Sequence, residues 1–221
     1  MSDLCVSRVP IFSELTRPDQ ERVAELARPV HFAPGDLVAD ERSTPRLLVV
    51  HQGRLKTSRL TREGVEQLLH VIGPGEFVGE GGVISGVPAP KRVTAVEEGT
   101  ACSFSHESLL GLLGARPQVA LRMLGAVTRR LEDAEDRLAL LTSSDVPTRL
   151  AGYLLDLPAA FDAGAAVVAL PLPKKDIASL LGTTPESLSR AFARLVRDGL
   201  IETDGSRVRI VDTDGLDALT G

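Results

Sequence analysis

Two periodicities divide the chain. From Val30 to about Phe104, short apolar runs recur between glycine-bearing turns. Leu47-Leu48-Val49-Val50, the run from Gln67 to Ile72, and Val93-Thr94-Ala95-Val96 are separated by Pro34-Gly35-Asp36, His51-Gln52-Gly53, Arg62-Glu63-Gly64 and Gly73-Pro74-Gly75. Short strands with turns at intervals of about ten residues predict an antiparallel sandwich or barrel. From about Arg116 to Leu141 the period becomes helical. Leu124, Val127, Leu131, Ala134, Leu138 and Leu141 follow at spacings of 3, 4, 3, 4 and 3, an a/d seam of about two and a half heptads. Arg129, Arg130, Glu132, Asp133, Glu135, Asp136 and Arg137 fill the positions between them. Such a seam either packs on its own domain or joins two copies of the chain, and periodicity leaves both open.

Thr142-Ser143-Ser144-Asp145 interrupts the helical pattern, with Asp145 placed to cap a new helix and Pro147 in its first turn. Ser144-Asp145 is therefore a candidate hinge. A helix from Pro147 to about Phe161 is expected, then an apolar run, Val167 to Leu170, and a Pro171-Leu172-Pro173 bend. The pattern then becomes more specific. Lys174 to Leu181 predicts a short helix and Gly182-Thr183 a tight turn. Thr184-Pro185-Glu186 supplies an N-cap, a first-turn proline and an acid at the positive end of a second helix, which stops at Gly199. Two strands, Leu200 to Glu202 and Arg207 to Val211, follow through Asp204-Gly205. Helix, turn, helix and hairpin is the plan of a winged helix-turn-helix. On the second helix, Leu188, Phe192, Leu195 and Val196 form the stripe expected to face inward. Glu186, Ser189, Arg190, Ala193, Arg194 and Arg197 form the other. Arginine can fork onto guanine, glutamate can accept from cytosine, and serine can reach either kind of base edge.

Charge sharpens this. The 221 residues carry a net charge of −5, with six Phe, one Tyr and no Trp, which argues against a general nucleic-acid coat or a base-stacking binder. Residues 173–209, however, hold seven Lys/Arg against five acids, a local +2 that leaves −7 elsewhere. Attraction is confined to one edge of an acidic body. No apolar run reaches the ~18 residues of a membrane span, and the first fifteen residues lack a signal-like core, so a cytoplasmic location is expected. Cys5 and Cys102 lie 97 positions apart, which is no disulfide framework and no four-cysteine metal site. Gly73, Gly75 and Gly79 miss the spacing of a dinucleotide loop, no phosphate-binding loop or catalytic triad can be placed, and the chain is not expected to be an enzyme.

Gly73-Pro74-Gly75-Glu76-Phe77-Val78-Gly79-Glu80 is similar to a glycine-rich β-roll signature, and the run from Lys175 to Arg190 to a DNA-binding signature. With both in place the sequence resembles the Crp/Fnr family of bacterial transcription regulators over nearly its whole length. The resemblance implies an α+β chain in three parts. These are an antiparallel, cyclic-nucleotide-binding-like jelly roll over residues 1–115, a dimerisation helix over 116–143, and a winged helix-turn-helix over 144–221. It also implies a homodimer on palindromic double-stranded DNA, with RNA polymerase as a further partner. Glu186, Ser189 and Arg190 are similar to the Fnr-type reading pattern. Pro185 stands where the Crp type has arginine, so a TTGAT-like half-site is expected rather than TGTGA. Thr184 matches a phosphate-contacting position, and Arg194 and Arg197 extend the DNA-binding set.

The signal is less defined, and no cofactor is assigned. In nucleotide-binding relatives, the glutamate matching Glu80 is followed by an Arg-Ser pair. Here the matching region reads Lys91-Arg92-Val93-Thr94, making Glu80, Lys91, Arg92 and Thr94 the effector-pocket candidates. Cys5 and Cys102 occupy regions where Fnr-type relatives place functional cysteines, and are candidates for a dithiol–disulfide switch. His31, His51, His70 and His106 lack ligand spacing, so neither haem nor metal is placed. Two broader alternatives remain: a regulator responding to a cyclic nucleotide, haem or another small molecule, and a ligand-binding roll whose C-terminal module contacts protein.

Overall fold

A computed structural model describes residues 9–62, 64–88, 90–162 and 165–220, and the side chains at 137, 140–143 and 162 lie outside what it describes. The chain divides into two compact units, Met1–Leu131 and Glu132–Gly221.

The first unit is built on two four-stranded antiparallel sheets. Strands β1 (Arg28–Phe32), β8 (Gly99–Ser105), β3 (Arg46–Gln52) and β6 (Phe77–Val78) form one sheet in that order. Strands β2 (Leu37–Ala39), β7 (Arg92–Ala95), β4 (Leu55–Leu60) and β5 (Glu66–Ile72) form the other. The apolar runs become strands because both faces of the first sheet are covered. Leu48, Val50 and Ala101 join Leu55, Ile72, Val93 and Ala95 in a core containing residues of both sheets. Leu47, Val49, Cys102 and Phe104 face the other way and pack against helices. An uninterrupted Leu-Leu-Val-Val run is what a strand buried on both sides requires. Glycine serves the turns where its conformation is needed. Gly79 has φ +93°, and a Cβ there would lie 2.2 Å from the Arg46 carbonyl oxygen, so no other residue fits without shifting backbone.

Helices α1 (Arg17–Leu26), α2 (Glu80–Ser85) and α3 (His106–Ala115) cap this unit. The long helix α4 (Pro117–Ser143) spans 27 residues, about 40 Å at the α-helical rise. Val119 and Met123 are buried in the helix-side core, with Ala126 packed against it. The heptad seam is a different stripe. Leu124, Val127, Leu131 and Leu138 are 62%, 38%, 58% and 63% exposed, and Ala134 is exposed too. In the single chain the seam does not lie on its own domain, and the Leu141 side chain is outside the described set.

The second unit contains α5 (Val146–Leu155), α6 (Lys174–Leu180), α7 (Pro185–Arg197), α8 (Thr213–Asp217) and a sheet ordered β11-β12-β10-β9. Its strands are β9 (Ala159–Asp162), β10 (Ala165–Ala169), β11 (Ile201–Asp204) and β12 (Arg207–Ile210). The helix expected to reach Phe161 stops at Leu155, and the residues up to Asp162 pair with β10 as β9 instead. Pro158 explains the difference, because it disfavours helical geometry at Leu157 and cannot donate to the preceding turn.

Candidate nucleic-acid interface

The helix-turn-helix is assembled by local chemistry. Gly182, at φ +60°, makes the turn after α6. The Thr184 hydroxyl accepts from the Ser187 backbone N–H at 3.2 Å, and Pro185 opens α7, where a missing N–H costs nothing. Leu188, Ala191, Phe192 and Leu195 are buried, which sets the rotation of α7. Val196, expected on the inward stripe, is 42% exposed, and Ala191 takes its place. Lys174 sits over the Phe192 ring, 5.0 Å from its centroid, tying the start of α6 to α7.

With that stripe inside, Glu186, Ser189, Arg190, Ala193, Arg194 and Arg197 are all exposed. Their local environments differ. The Arg190 guanidinium donates to the Ser187 hydroxyl at 2.7 Å, which orients it near the helix start. Ser189 donates to the Pro185 carbonyl at 2.8 Å, leaving oxygen lone pairs available to accept. The Glu186 carboxyl is held below the usual carboxylate range by its own backbone N–H and then by the Thr184 hydroxyl, so it stays ionised. Arg194 lies 3.4 Å from Asp145 Oδ2 and 3.7 Å from Asp198 Oδ2. Among the described residues it is the one arginine of the stripe within ion-pair distance of an acid, although Glu186 and Arg190 attract each other at longer range. The hairpin β11–β12 turns through Gly205 at φ +58° and pairs Asp204 with Arg207 and Glu202 with Arg209.

The candidate hinge joins this motif directly. Asp145 caps α5, its Oδ1 accepting from Thr148 N–H at 3.0 Å. That bond first, and the Arg194 and Arg149 charges after it, lower its pKa. Arg149 donates to the Ser144 carbonyl and, at 3.0 Å, to the Leu181 carbonyl at the end of α6. The sequence reading missed Arg149. Its signal was only its place one turn after Asp145, since a carbonyl partner leaves no trace in sequence.

In the first unit the four effector-pocket candidates fall at separate places. Glu80 opens α2 and its Oε1 lies 3.5 Å from Arg130 of α4, while its Oε2 is buried without a hydrogen-bond partner. Arg130 also donates to the Phe77 carbonyl at 2.5 Å and sits 4.6 Å from the Phe77 ring centroid. Thr94 lies in mid-β7, opposite Leu37 and Lys56. Lys91 and Arg92 instead line a cavity that does not include Glu80. Cys102 is buried on β8 with its Sγ 3.1 Å from His51 Nε2. A register shift between Val50 and Gln52 leaves His51 without its own partner on β8, and burial pushes the His51 pKa down. Cys5 lies outside the described residues. His106 bonds the Val83 carbonyl, and among the described residues no three His, Cys, Asp or Glu side chains cluster as a metal site. No described helix is long and apolar enough to cross a membrane.

Comparison with known proteins bears on both units. Residues 29–116 match the cyclic nucleotide-binding domain and residues 148–219 the Crp-like helix-turn-helix domain. The "Probable transcriptional regulator flp" of Lacticaseibacillus casei is 32% identical over 217 residues, covering 98% of each chain. The "CRP-like cAMP-activated global transcriptional regulator" of Mycobacterium tuberculosis is 30% identical over 97% of each. Among solved structures, FixK2 from Bradyrhizobium japonicum superposes with a TM-score of 0.74 at 24% identity, over 88% of this chain and 98% of that one. Full-length relatedness, the roll and the DNA-binding helix-turn-helix together establish that this chain belongs to the Crp/Fnr family of transcription regulators.

Proposed function

We propose that two copies of this chain join along the α4 seam, and that the dimer reads palindromic DNA by placing each α7 in a major groove. The observation that carries the reading is the exposed Glu186–Arg190 end of α7, held outward by the buried Leu188–Leu195 stripe. Glu186 and Arg190 read bases, Ser189 supports them, and Thr184, Arg194 and Arg197 engage the backbone of a TTGAT-like half-site. The exposed leucines at 124, 131 and 138 favour self-association. They repeat at heptad spacing, so the same seam on a second copy is their natural complement. On this reading the regions 1–115, 116–143 and 144–221 sense, dimerise and bind DNA, with Ser144-Asp145 as the hinge between the last two. The protein works in the cytoplasm, with RNA polymerase as its downstream partner.

Half-sites about one helical turn (~34 Å) apart make simultaneous docking sensitive to small rotations at the hinge. The buried Cys102 beside His51 favours a redox signal, in which two thiols, Cys102 and Cys5, lose two protons and two electrons to an oxidant and form a disulfide. The buried, unpartnered Glu80 Oε2 favours a second reading, a hydroxyl-bearing nucleotide held at Glu80, apart from the cavity that Lys91 and Arg92 line. A mobility-shift assay at fixed salt, on duplexes with paired TTGAT or TGTGA half-sites, tests the DNA reading. Tight binding to the first and weak binding to the second is expected; equal binding to a scrambled duplex would overturn it. Repeating the assay with reductant, oxidant or cyclic nucleotide, and on Cys5→Ser/Cys102→Ser, separates the two signals.

A further inference from the structure

Outside the helix-turn-helix, four cations converge on a cavity of ≈ 610 Å³ on the first unit. Three segments distant in sequence build it. Arg42 comes from the β2–β3 loop, Arg59 from the end of β4, and Lys91 and Arg92 from the start of β7. Register explains the convergence: Ser58 of β4 pairs with Arg92 of β7, so Arg59 emerges beside the same strand end.

Several basic residues of this unit are held by acids, and these four are not. Arg54, Arg116, Arg122 and Arg130 each lie within ion-pair distance of an acid, but no described carboxylate does so for Arg42, Arg59, Lys91 or Arg92. The two acids at the cavity, Asp40 and Glu41, do not balance them. Asp40 Oδ1 is occupied by its own loop, accepting from Arg42 N–H at 3.0 Å and from the Ser43 hydroxyl at 2.8 Å. Asp40 and Glu66 act on Arg42 and Arg92 beyond ion-pair distance, but four cations gathered at one cavity still repel, and an anion of charge two or more relieves that repulsion. Leu37 and Leu60, 47% and 48% exposed, supply apolar wall for a carbon skeleton. The volume lies within the usual range for small-molecule sites.

We propose that this cavity binds a phosphorylated small molecule carrying at least two negative charges, with Arg42, Arg59, Lys91 and Arg92 holding the phosphate oxygens and Leu37 and Leu60 contacting its carbon portion. The site goes beyond the DNA-binding reading, and it is separate from Glu80, which faces Arg130.

Inorganic pyrophosphate is the probe, titrated calorimetrically into the full-length protein without DNA, at ionic strength matched with sodium chloride. Saturable binding is expected, weakened roughly tenfold or more in Arg42→Gln/Arg59→Gln, since each substitution removes a charged hydrogen-bond donor. That pair leaves Lys91 and Arg92 intact. Arg54→Gln, which removes a charge already paired with Glu97, should bind like the parent. Thermal melting and the TTGAT mobility shift without pyrophosphate report whether the double variant is folded and DNA-competent. Absent or non-saturable binding in the parent, or equal binding by parent and double variant, would overturn the proposal. So would loss of DNA affinity with a shallower salt dependence in the folded double variant, because the cations would then be DNA contacts.

Discussion

Replacing Asp145 with Asn separates two roles that one carboxylate combines. Its Oδ1 caps α5 and its Oδ2 lies 3.4 Å from Arg194 on the exposed stripe of α7. Asparagine caps helices about as well as aspartate, so the start of α5 should survive while the charge facing Arg194 disappears. The two side chains are 58% and 49% exposed, and exposed pairs of this kind contribute about 0.2–1 kcal/mol. The stability change should therefore be no more than that, and the larger effect should appear on DNA. With Asp145 neutralised, Arg194 is freer to meet a phosphate. Every additional phosphate neutralised by a cation steepens the slope of log K against log salt by about 0.9, counted once per protomer. Because phosphates are common to all sequences, affinity for a scrambled duplex should rise more than affinity for the TTGAT palindrome, and discrimination should fall. Fluorescence anisotropy across a salt series measures both slopes, and Asp145→Asn/Arg194→Gln should return them to those of Arg194→Gln alone. An unchanged slope in Asp145→Asn, with weaker binding to every duplex, would show that the carboxylate acts through the cap and not through Arg194.

Three further outcomes follow from the same geometry. Arg190→Ala should cost roughly 1–3 kcal/mol of specific binding and relax discrimination at one base pair; a uniform loss on all sequences would make Arg190 a phosphate contact. Leu131→Glu places a charge in the middle of the exposed seam and should yield a monomer by sedimentation with little change in melting temperature, since Leu131 is already 58% exposed in the single chain; a dimer that binds DNA normally would refute the seam. Burial lowers the folded-state pKa of His51, so the stability it confers as a neutral group is present above its unfolded pKa of about 6.5 and is lost as pH falls through the folded value. His51→Gln should accordingly melt with a shallower pH dependence below about pH 6.5 than the parent, and identical slopes would remove His51 as the source.

Elements that depend on short-range chemistry were legible in the sequence. The α7 start was visible because Thr184, Pro185 and Glu186 each suit a particular position in a first helical turn, and all three occupy those positions. The β3 run was visible because burial on two faces demands continuous apolar residues. By contrast, β9 was hidden: Ala159 and Ala160 carry no strand signal, and only pairing with β10 makes them one. The candidate site divides the same way. Which residues of α7 face outward followed from helical period, except that Val196, expected inside, is exposed, and Ala191, placed on neither stripe, is buried. That Arg194 is tied to Asp145, 49 positions away, or that His51 meets Cys102, depends on tertiary approach that no local pattern encodes.

The long helix brings these scales together. Its apolar residues form two stripes with different tasks. Val119, Met123 and Ala126 anchor its first half to the roll, and the described heptad residues, Leu124, Val127, Leu131, Ala134 and Leu138, are exposed. A helix committed to its own domain would need only the first stripe, and a free coiled coil only the second. Carrying both suits the proposed reading, in which α4 is held by the roll on one stripe and offers the other to a second copy. At its far end, Arg149 grips carbonyls on both Ser144 and Leu181, and Asp145 touches Arg194. Ser144 and Asp145 are thereby fastened to both helices of the helix-turn-helix. On the proposed reading, a rotation at Ser144-Asp145 carries α6 and α7 together through these contacts. Arg149→Lys keeps the charge but cannot reach both carbonyls in a planar fork. It should loosen that coupling and reduce affinity for paired half-sites more than for a single half-site. Equal losses on the two duplexes would mean that Arg149 only supports the fold of the motif.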